Sequence, residues 1–467
     1  EDLSGGLSID SFDGLSGVRI TNGDGIATAH DHITIRSSTW LTVAANNPVV
    51  NNDGGDIYLA AEGDTADDDL IVNADVTAGG GDGTIGLYGG DSIHLSGTVA
   101  VSAAGAGAVW LFAGTDFHGG TLLDGDSGGD VLMGDGSVVR SEDGPLTVAA
   151  PNDVALSMLN ADSDGDTVAG HVFVTADFAG PQGSGGYPSD NSGAIRDNLT
   201  GEAPNIVADG VALRAGSGIG SGASGDTDID TAVRTLAAVT ESGDIYVQDI
   251  GPGLTIAELD LLWGVTILDS ADDNSGDDDI TIVSRGDLTV AAGNPIANHD
   301  GGEITLRAAG GGGYRVVTGP LSFAAAQTDA GDEGGYLATI RSAAENELIR
   351  NLLVLAGVSS AWIGASDGAS EGDWRWGAGP DNGMAFWSGA AAGSPVGGEY
   401  SNWAAGQPGG VAAQNAAHLQ ADGTWDDGDA SVTRAYVLEF PDANVDVNAA
   451  ITVTGGAGDI TLQADND

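Results

Sequence analysis

Residues 41–63, LTVAANNPVVNNDGGDIYLAAEG, return at 288–310 as LTVAAGNPIANHDGGEITLRAAG, equal in length and with the same Asn-Pro and Asp-Gly-Gly elements. Repetition of this kind constrains the fold more than any single motif, because it marks stacked supersecondary units. Each copy holds two apolar-x-apolar triplets, Leu41-Thr42-Val43 and Ile57-Tyr58-Leu59 in the first, on either side of a Pro/Asn/Asp/Gly turn. Alternation with period 2 is that of a strand with one buried face. Further triplets begin at Ile85, Val109, Val131, Val154 and Val172, and less regularly at Ile245, Val265, Ile280, Ile304 and Ile460. From Ile57 to Val172 the spacings are 28, 24, 22, 23 and 18 residues. Short strands so spaced predict a mainly β solenoid whose rungs bury inward side chains and pair with the rungs above and below. At ~22 residues and ~4.8 Å per rung, residues 1–312 and 442–467 predict roughly 15 rungs and a rod of about 70 Å. A β-sandwich also alternates strands and turns, but the distant near-copy argues against one.

Composition supports a turn-rich β chain. The 78 glycines are about twice the usual share. All 13 basic residues are arginine, and of the 69 acids 56 are aspartate. Aspartate suits turns and cation-binding loops, whereas glutamate suits helices. A hydrophobic content of 41% is that of a folded protein. The net charge of −56 excludes nucleic acid as a partner and suits an exterior rich in salt or calcium. With no cysteine there is no disulfide framework, and no run of about 20 apolar residues offers a membrane span. The chain begins at Glu1 and stops in GDITLQADND, which reads as a processed chain or a piece of a longer one. Strand-like ends without a capping repeat predict continuation end to end, through adjacent repeats or neighbouring copies.

The GDLTVAA…GGEITLRAAG unit and LRAGSGIGSGASGDTDIDTAVRTLAAVTESGDIYV (213–247) resemble the filamentous haemagglutinin-like repeats of very large bacterial surface proteins. That resemblance covers most of 30–312 and the tail from Val445. It implies a right-handed parallel β-helix, an extracellular place on the cell surface or in a fibre, and a role as stalk, filament or adhesin.

The text changes at GGGGYRVV (310–317). Between Gly313 and Pro441 lie six of the nine tryptophans, and the repeat resumes afterwards with VDVNAAITVTGGAGDITLQA. This window predicts a helix in SAAENELIRNLLVLAG, opened by a Ser342/Glu345 capping box and closed by Gly357. Leu348, Leu352 and Leu355, with Ile349 and Leu353, form its apolar stripe. A shorter helix candidate spans 322–331. The domain organisation is therefore 1–312 repeats, 313–441 inserted domain, and 442–467 a return to the repeats.

The order of landmarks in the insert resembles an α+β C-type lectin-like domain. GGYLATIRSAAENELI, AWIGASD (361–367), EGDWRW (371–376), SNWAAGQPGG, TWDD (424–427) and YVLEF (436–440) follow in the family's order. The family's half-cystines are absent, with Ala416 and Leu438 at two of those positions. Sugar-binding members hold calcium through side-chain oxygens of the loop and the Trp-Asn-Asp strand. The resemblance implies Gln407, Asp426 and Asp427 as calcium ligands, and Trp403, Gln414 and Asn415 beside them at a glycan- or surface-protein-binding edge. Three departures stand out. Gly409 offers no side-chain oxygen, Gln414 replaces a glutamate, and Asp426 replaces an asparagine. Recognition of protein by the same loops, or a purely structural patch with Trp403 and Trp425 as core, remain alternatives.

Acidic loops at 124–137 and 162–166 have oxygens at alternate positions but no full calcium-binding set. GSGIGSG (216–222) lacks the lysine of a phosphate loop and is expected in a rung corner. Parallel β-helices also carry polysaccharide-degrading enzymes, the competing class. A lyase needs a basic catalyst, yet there is no lysine and arginines occur singly. A hydrolase needs a marked set of carboxylates, and none stands out. The expectation is a binding protein with no catalytic residues.

Overall fold

A computed structural model of the chain describes residues 6–11, 16–21, 31–63, 68–114, 129–165, 168–177, 192–201, 203–222, 227–251, 253–268, 278–309, 314–332, 334–411, 413–440 and 443–464. The predicted boundaries at Gly313 and Pro441 lie outside these, as do parts of both acidic loops. The chain divides into two compact units, 1–308 with 445–463, and 309–444 with 464–467.

In the first unit, successive strands visit three parallel sheets in turn. One sheet takes strands starting at Leu7, Leu41, Leu70, Ile93, Val131, Val154 and Ile195. A second runs in twelve strands from Val18–Ile20 to Ile460–Ala464, and a third begins with Ile33–Ser37, Ile57–Ala61, Ile85–Tyr88 and Val109–Phe112. Like residues stack in register, Ile57 on Ile85 on Val109 and Leu59 on Leu87 on Leu111. All six are fully buried, each such side chain contributing roughly 1.5–3 kcal/mol.

Between Pro48 and Gly55, where a turn alone was expected, lies a further strand, Val49–Asn51. Nor do the predicted triplets form one series. Ile57, Ile85 and Val109 belong to the third sheet, Val131 and Val154 to the first, and Val172 to the third again. From Val18 to Ile304 the second sheet takes ten steps, about 29 residues each. The triplets gave ~22 and about 15 rungs because a period-2 pattern marks a buried strand without saying which sheet it joins.

The near-identical units occupy different sheets. In the first copy, the strands at 41–43, 49–51 and 57–61 join the first, second and third sheets. In the second, 287–290 and 296–298 belong to two branches of the third sheet, and 304–308 to the second. Two events shift the assignment. The first sheet ends at Ile195–Asp197 and, among the described residues, continues only through the bridges Ile195–Ile219–Ile245. The six-residue strand Thr235–Thr240 then takes two partners, Gly253–Ile256 and Val265–Ile267. Ile219, fully buried, thus stands in for a strand rather than a corner.

Aspartates serve the turns. Asp69 Oδ1 accepts the Ser92 N–H at 3.2 Å, Ser92 Oγ that of Asp130 at 3.1 Å, Asp130 Oδ1 that of Asp153 at 3.0 Å, and Asp153 Oδ1 that of Ala194 at 2.9 Å. Each polar side chain at a strand entrance satisfies the backbone donor one strand further along its sheet.

The second unit contains β1 (Tyr314–Leu321), α1 (Phe323–Asp332), β2 (Tyr336–Leu337), α2 (Ala343–Leu355), β3 (Ser360–Ser366), β4 (Asp373–Trp376), β5 (Ala385–Ser388), β6 (Ser394–Pro395), β7 (Ala416–Gln420), β8 (Trp425–Gly428) and β9 (Arg434–Glu439). The sheet order is β1-β9-β3-β4-β5-β6, with β2 on β9 and β7 joining β3 to β8. Both predicted helices form. Ser342 Oγ accepts the Glu345 N–H and Glu345 Oε2 accepts that of Ser342, each at 3.1 Å. Of the predicted stripe, Ile349 and Leu353 are fully buried, whereas Leu348 is 51% exposed. One turn of helix turns only part of a wide apolar arc toward its sheet. Trp374, Trp376 and Trp425 pack with Phe386, Ile349 and Leu353 in one core, and Trp362 packs with Phe323 and Tyr436 in another.

Candidate functional site

Residues 401–411 and 413–415 form a loop laid against the β7–β8 hairpin that follows. Its turn is tied by Asp422 Oδ1, which accepts from the Thr424 N–H at 2.9 Å and hydroxyl at 2.7 Å. Ala417 pairs with Asp427, and His418 with Asp426. Strand pleating sends these neighbouring acids to opposite faces.

On the face shared with Trp425, Asp427 meets the loop. Asp427 Oδ2 accepts the Gly409 N–H at 2.8 Å, and the Asp427 carbonyl accepts from Gln414 Nε2 at 3.3 Å. The Gln407–Pro408 peptide bond is cis. A Cβ placed on Gly409 would stand 3.3 Å from Gln407 Oε1, 3.3 Å from Gln414 Oε1 and 3.5 Å from Asp427 Oδ1. Three oxygens from three residues therefore surround one small space. Gln407 Oε1 and Asp427 Oδ1 are buried without a hydrogen-bond donor.

Asp367, at the end of β3, belongs to the same neighbourhood. Its Oδ2 accepts the Gly372 N–H at 2.8 Å, and its Oδ1 is likewise buried and without a donor. Asp427 and Asp367 are only 3% and 4% exposed. Burial raises the Asp427 pKa, and the charges of Asp426 and Asp367 add to the rise against the opposing Gly409 N–H. Burial also raises that of Asp367, with Glu371 adding to it. Buried acceptors that repel one another and lack donors are complementary to a cation. Oxygen donors suit a hard ion such as calcium, which takes 6–8 of them, so three cradle oxygens would leave the rest of such a shell to water or ligand hydroxyls. Among the described residues no three His, Cys, Asp or Glu side chains gather to hold a metal. Two of the three cradle oxygens are amide oxygens.

The sequence-predicted residues thus separate. Gln407, Gln414 and Asp427 converge. Asp426, expected as a calcium ligand, is carried by the pleat to the other face, its Oδ2 at 3.5 Å from Gln420 Nε2 and 4.0 Å from His418 Nε2. Burial, then Arg434, lowers the pKa of His418 to about 4, leaving the imidazole neutral at pH 7. Asn415 lies beside the cradle, its carbonyl accepting from Ser366 Oγ at 2.5 Å. Trp403, expected at the ligand, packs against the core, 4.8 Å from Trp374 and 5.8 Å from Trp425 between ring centroids. Asp367 and Glu371 went unseen in the sequence. Their only signal is an acidic i, i+4 pair after the Trp-Ile-Gly strand, lost among 56 aspartates.

Residues 319–440 match the family model of the lectin C-type domain. Halomucin of Haloquadratum walsbyi is 32% identical over 173 residues, 35% of this chain and 2% of that protein. The chain therefore spans a small fraction of its curated relative. Among solved structures it is similar to the mouse scavenger receptor C-type lectin carbohydrate-recognition domain, at 28% identity over 27% of this chain and 85% of that one, with a TM-score of 0.22. Herring type II antifreeze protein is 20% identical over 27% of this chain and 89% of that one, also at 0.22. A C-type lectin domain occupies residues 319–440 of a mainly β chain.

Proposed function

We propose that the chain belongs to an extracellular surface protein, in which a parallel β-helical stalk presents a lectin domain that binds glycan through a calcium-bearing edge at Gln407, Gln414 and Asp427. The observation that carries this reading is the convergence of acceptor oxygens around Gly409, two of them buried without donors. Calcium, common in lectin C-type domains, would neutralise these acceptors and offer its open positions to sugar hydroxyls. Asp367 lies close enough to add charge to the site.

The stalk reading is supported by strands that visit three parallel sheets in turn. Parallel strands with crossovers are right-handed almost without exception, hence a right-handed helix. The domain scheme of 1–312, 313–441 and 442–467 is supported by pairing of 445–447, 451–453 and 460–464 with strands that precede the lectin domain. Val447, Ile460 and Leu462 are 38–50% exposed, where Val290, Ile304 and Leu306 are fully buried. Further rungs, from adjacent repeats or a neighbouring copy, would cover them. Binding rather than catalysis is favoured by the lack of any lysine base. The surface location is supported by the 173-residue similarity to halomucin, by its name a mucin.

Calorimetric titration with calcium tests the site. Wild-type protein should show a saturable step that Asp427→Asn lacks. Identical isotherms for the two would remove Asp427 from the account.

A further inference from the structure

We infer that the cradle takes internal units of a long, neutral polysaccharide rather than a terminal sugar. This rests on the proposed glycan-binding function and adds the class of ligand. The centre of the site is polar and buried, with Asp427 and Asp367 each over nine-tenths buried and each with one carboxylate oxygen lacking a donor. Its rim is built from the smallest side chains. Ala390, Gly409, Gly410 and Val411 are all exposed, Ala390 against Gly410 and Val411 bonded through its carbonyl to the Gln414 N–H at 2.7 Å. A Cβ on Gly410 would stand 2.9 Å from that of Ala390 and 4.0 Å from Glu371 Oε1, so the two small-residue loops touch beside the acidic group.

A terminal sugar is usually selected by a wall that blocks one end of the ligand, and ligand sites in general are concave with bulky linings. Here nothing in these two rim segments is larger than valine. A pyranose seated over the three oxygens can therefore be substituted on both sides, and its neighbours can pass over the rim. The polymer is neutral because Glu371, Asp367 and Asp427 lie at the site of a chain of net charge −56, which repels uronates and sulfates.

Stoichiometry distinguishes the modes, since a linear polymer has one non-reducing end at any length. The full chain in calcium is mixed with linear mannan, glucan and galactan, each in two sizes, and the complexes are weighed by light scattering. The expected result is that, for at least one polymer, a threefold longer chain carries about three times as many copies. Ala390→Trp, which builds a wall where the two exposed segments touch, should abolish this loading while binding of the corresponding methyl glycoside persists. One copy per polymer at both sizes, or methyl glycosides bound with polymers ignored, would overturn the inference while leaving the glycan-binding reading intact. If neither glycosides nor polymers bind, the glycan-binding reading falls and the inference with it.

Discussion

Gly409 is where one methyl group separates the binding role from the structural one. An added Cβ would press on Gln407 Oε1 and Gln414 Oε1 at 3.3 Å, displacing them by tenths of an ångström, and would fill the space beside Asp427 Oδ1 at 3.5 Å. Gly409→Ala should leave the melting temperature nearly unchanged, because residue 409 is exposed, yet abolish calcium uptake at the lectin domain. Retained uptake by calorimetry would show that the cradle is not the cation site. In the first unit, Asp249 is fully buried, with Oδ1 accepting from the Thr231 hydroxyl and Val233 N–H at 3.1 Å each and Oδ2 without a donor. Burial pushes its pKa up to about 7. A folded pKa above the unfolded one makes stability greatest at low pH and lost as pH rises from the ordinary carboxylate range to about 7. At about 1.4 kcal/mol per pKa unit, the loss is of order a few kcal/mol. Asp249→Asn should flatten that part of the melting profile between pH 4.5 and 8, and an unchanged slope would assign it to other groups. At this scale the family resemblance of the ordered landmarks pointed to Gln407, Gln414 and Asp427, which the fold brings to one space. Asp426 was misread because a spacing of one residue does not say which face of a strand a side chain takes.

Elements were read better than their neighbours. The Ser342 cap and both helices of the lectin domain follow from local chemistry, whereas its strand motifs were implied by the family resemblance. Replacing Ser342 by alanine should cost about 1 kcal/mol, seen as a lower denaturant midpoint at constant slope. An unchanged midpoint would mean that the capping box is not formed in solution. The rounds of the parallel sheets were harder to read, because an apolar-x-apolar triplet looks alike in all three sheets. The copies at 41–63 and 288–310 share their strands but not their sheets, since pairing is settled by the preceding strand rather than by the unit itself. The lectin domain has its own helices and two aromatic clusters, so residues 313–441, excised, should unfold cooperatively. A broad, featureless melt would mean that the domain depends on the repeats.

For the molecule as a whole, charge and architecture are one problem. The Asp69–Ser92–Asp130–Asp153 series places three acids at the entrances of four successive strands of one sheet, Asp130 and Asp153 at neighbours only about 4.8 Å apart. The chain carries 56 more negative than positive charges. Such a molecule should gain stability steeply with salt, because screening at 0.1 M reaches only about 10 Å and tightens as salt rises. A melting temperature that is flat from 0.1 to 3 M sodium chloride would contradict that. Acidity was legible residue by residue, whereas the segments 390–391 and 409–413, all glycine, alanine and valine, carry no sequence signal for a ligand. The most direct test of the central claim is a glycan array probed with the intact chain in calcium and again with a chelator. Binding to a defined set of neutral glycans that disappears with the chelator is the predicted result. Binding that is indifferent to the chelator, or no binding to any glycan, would contradict it.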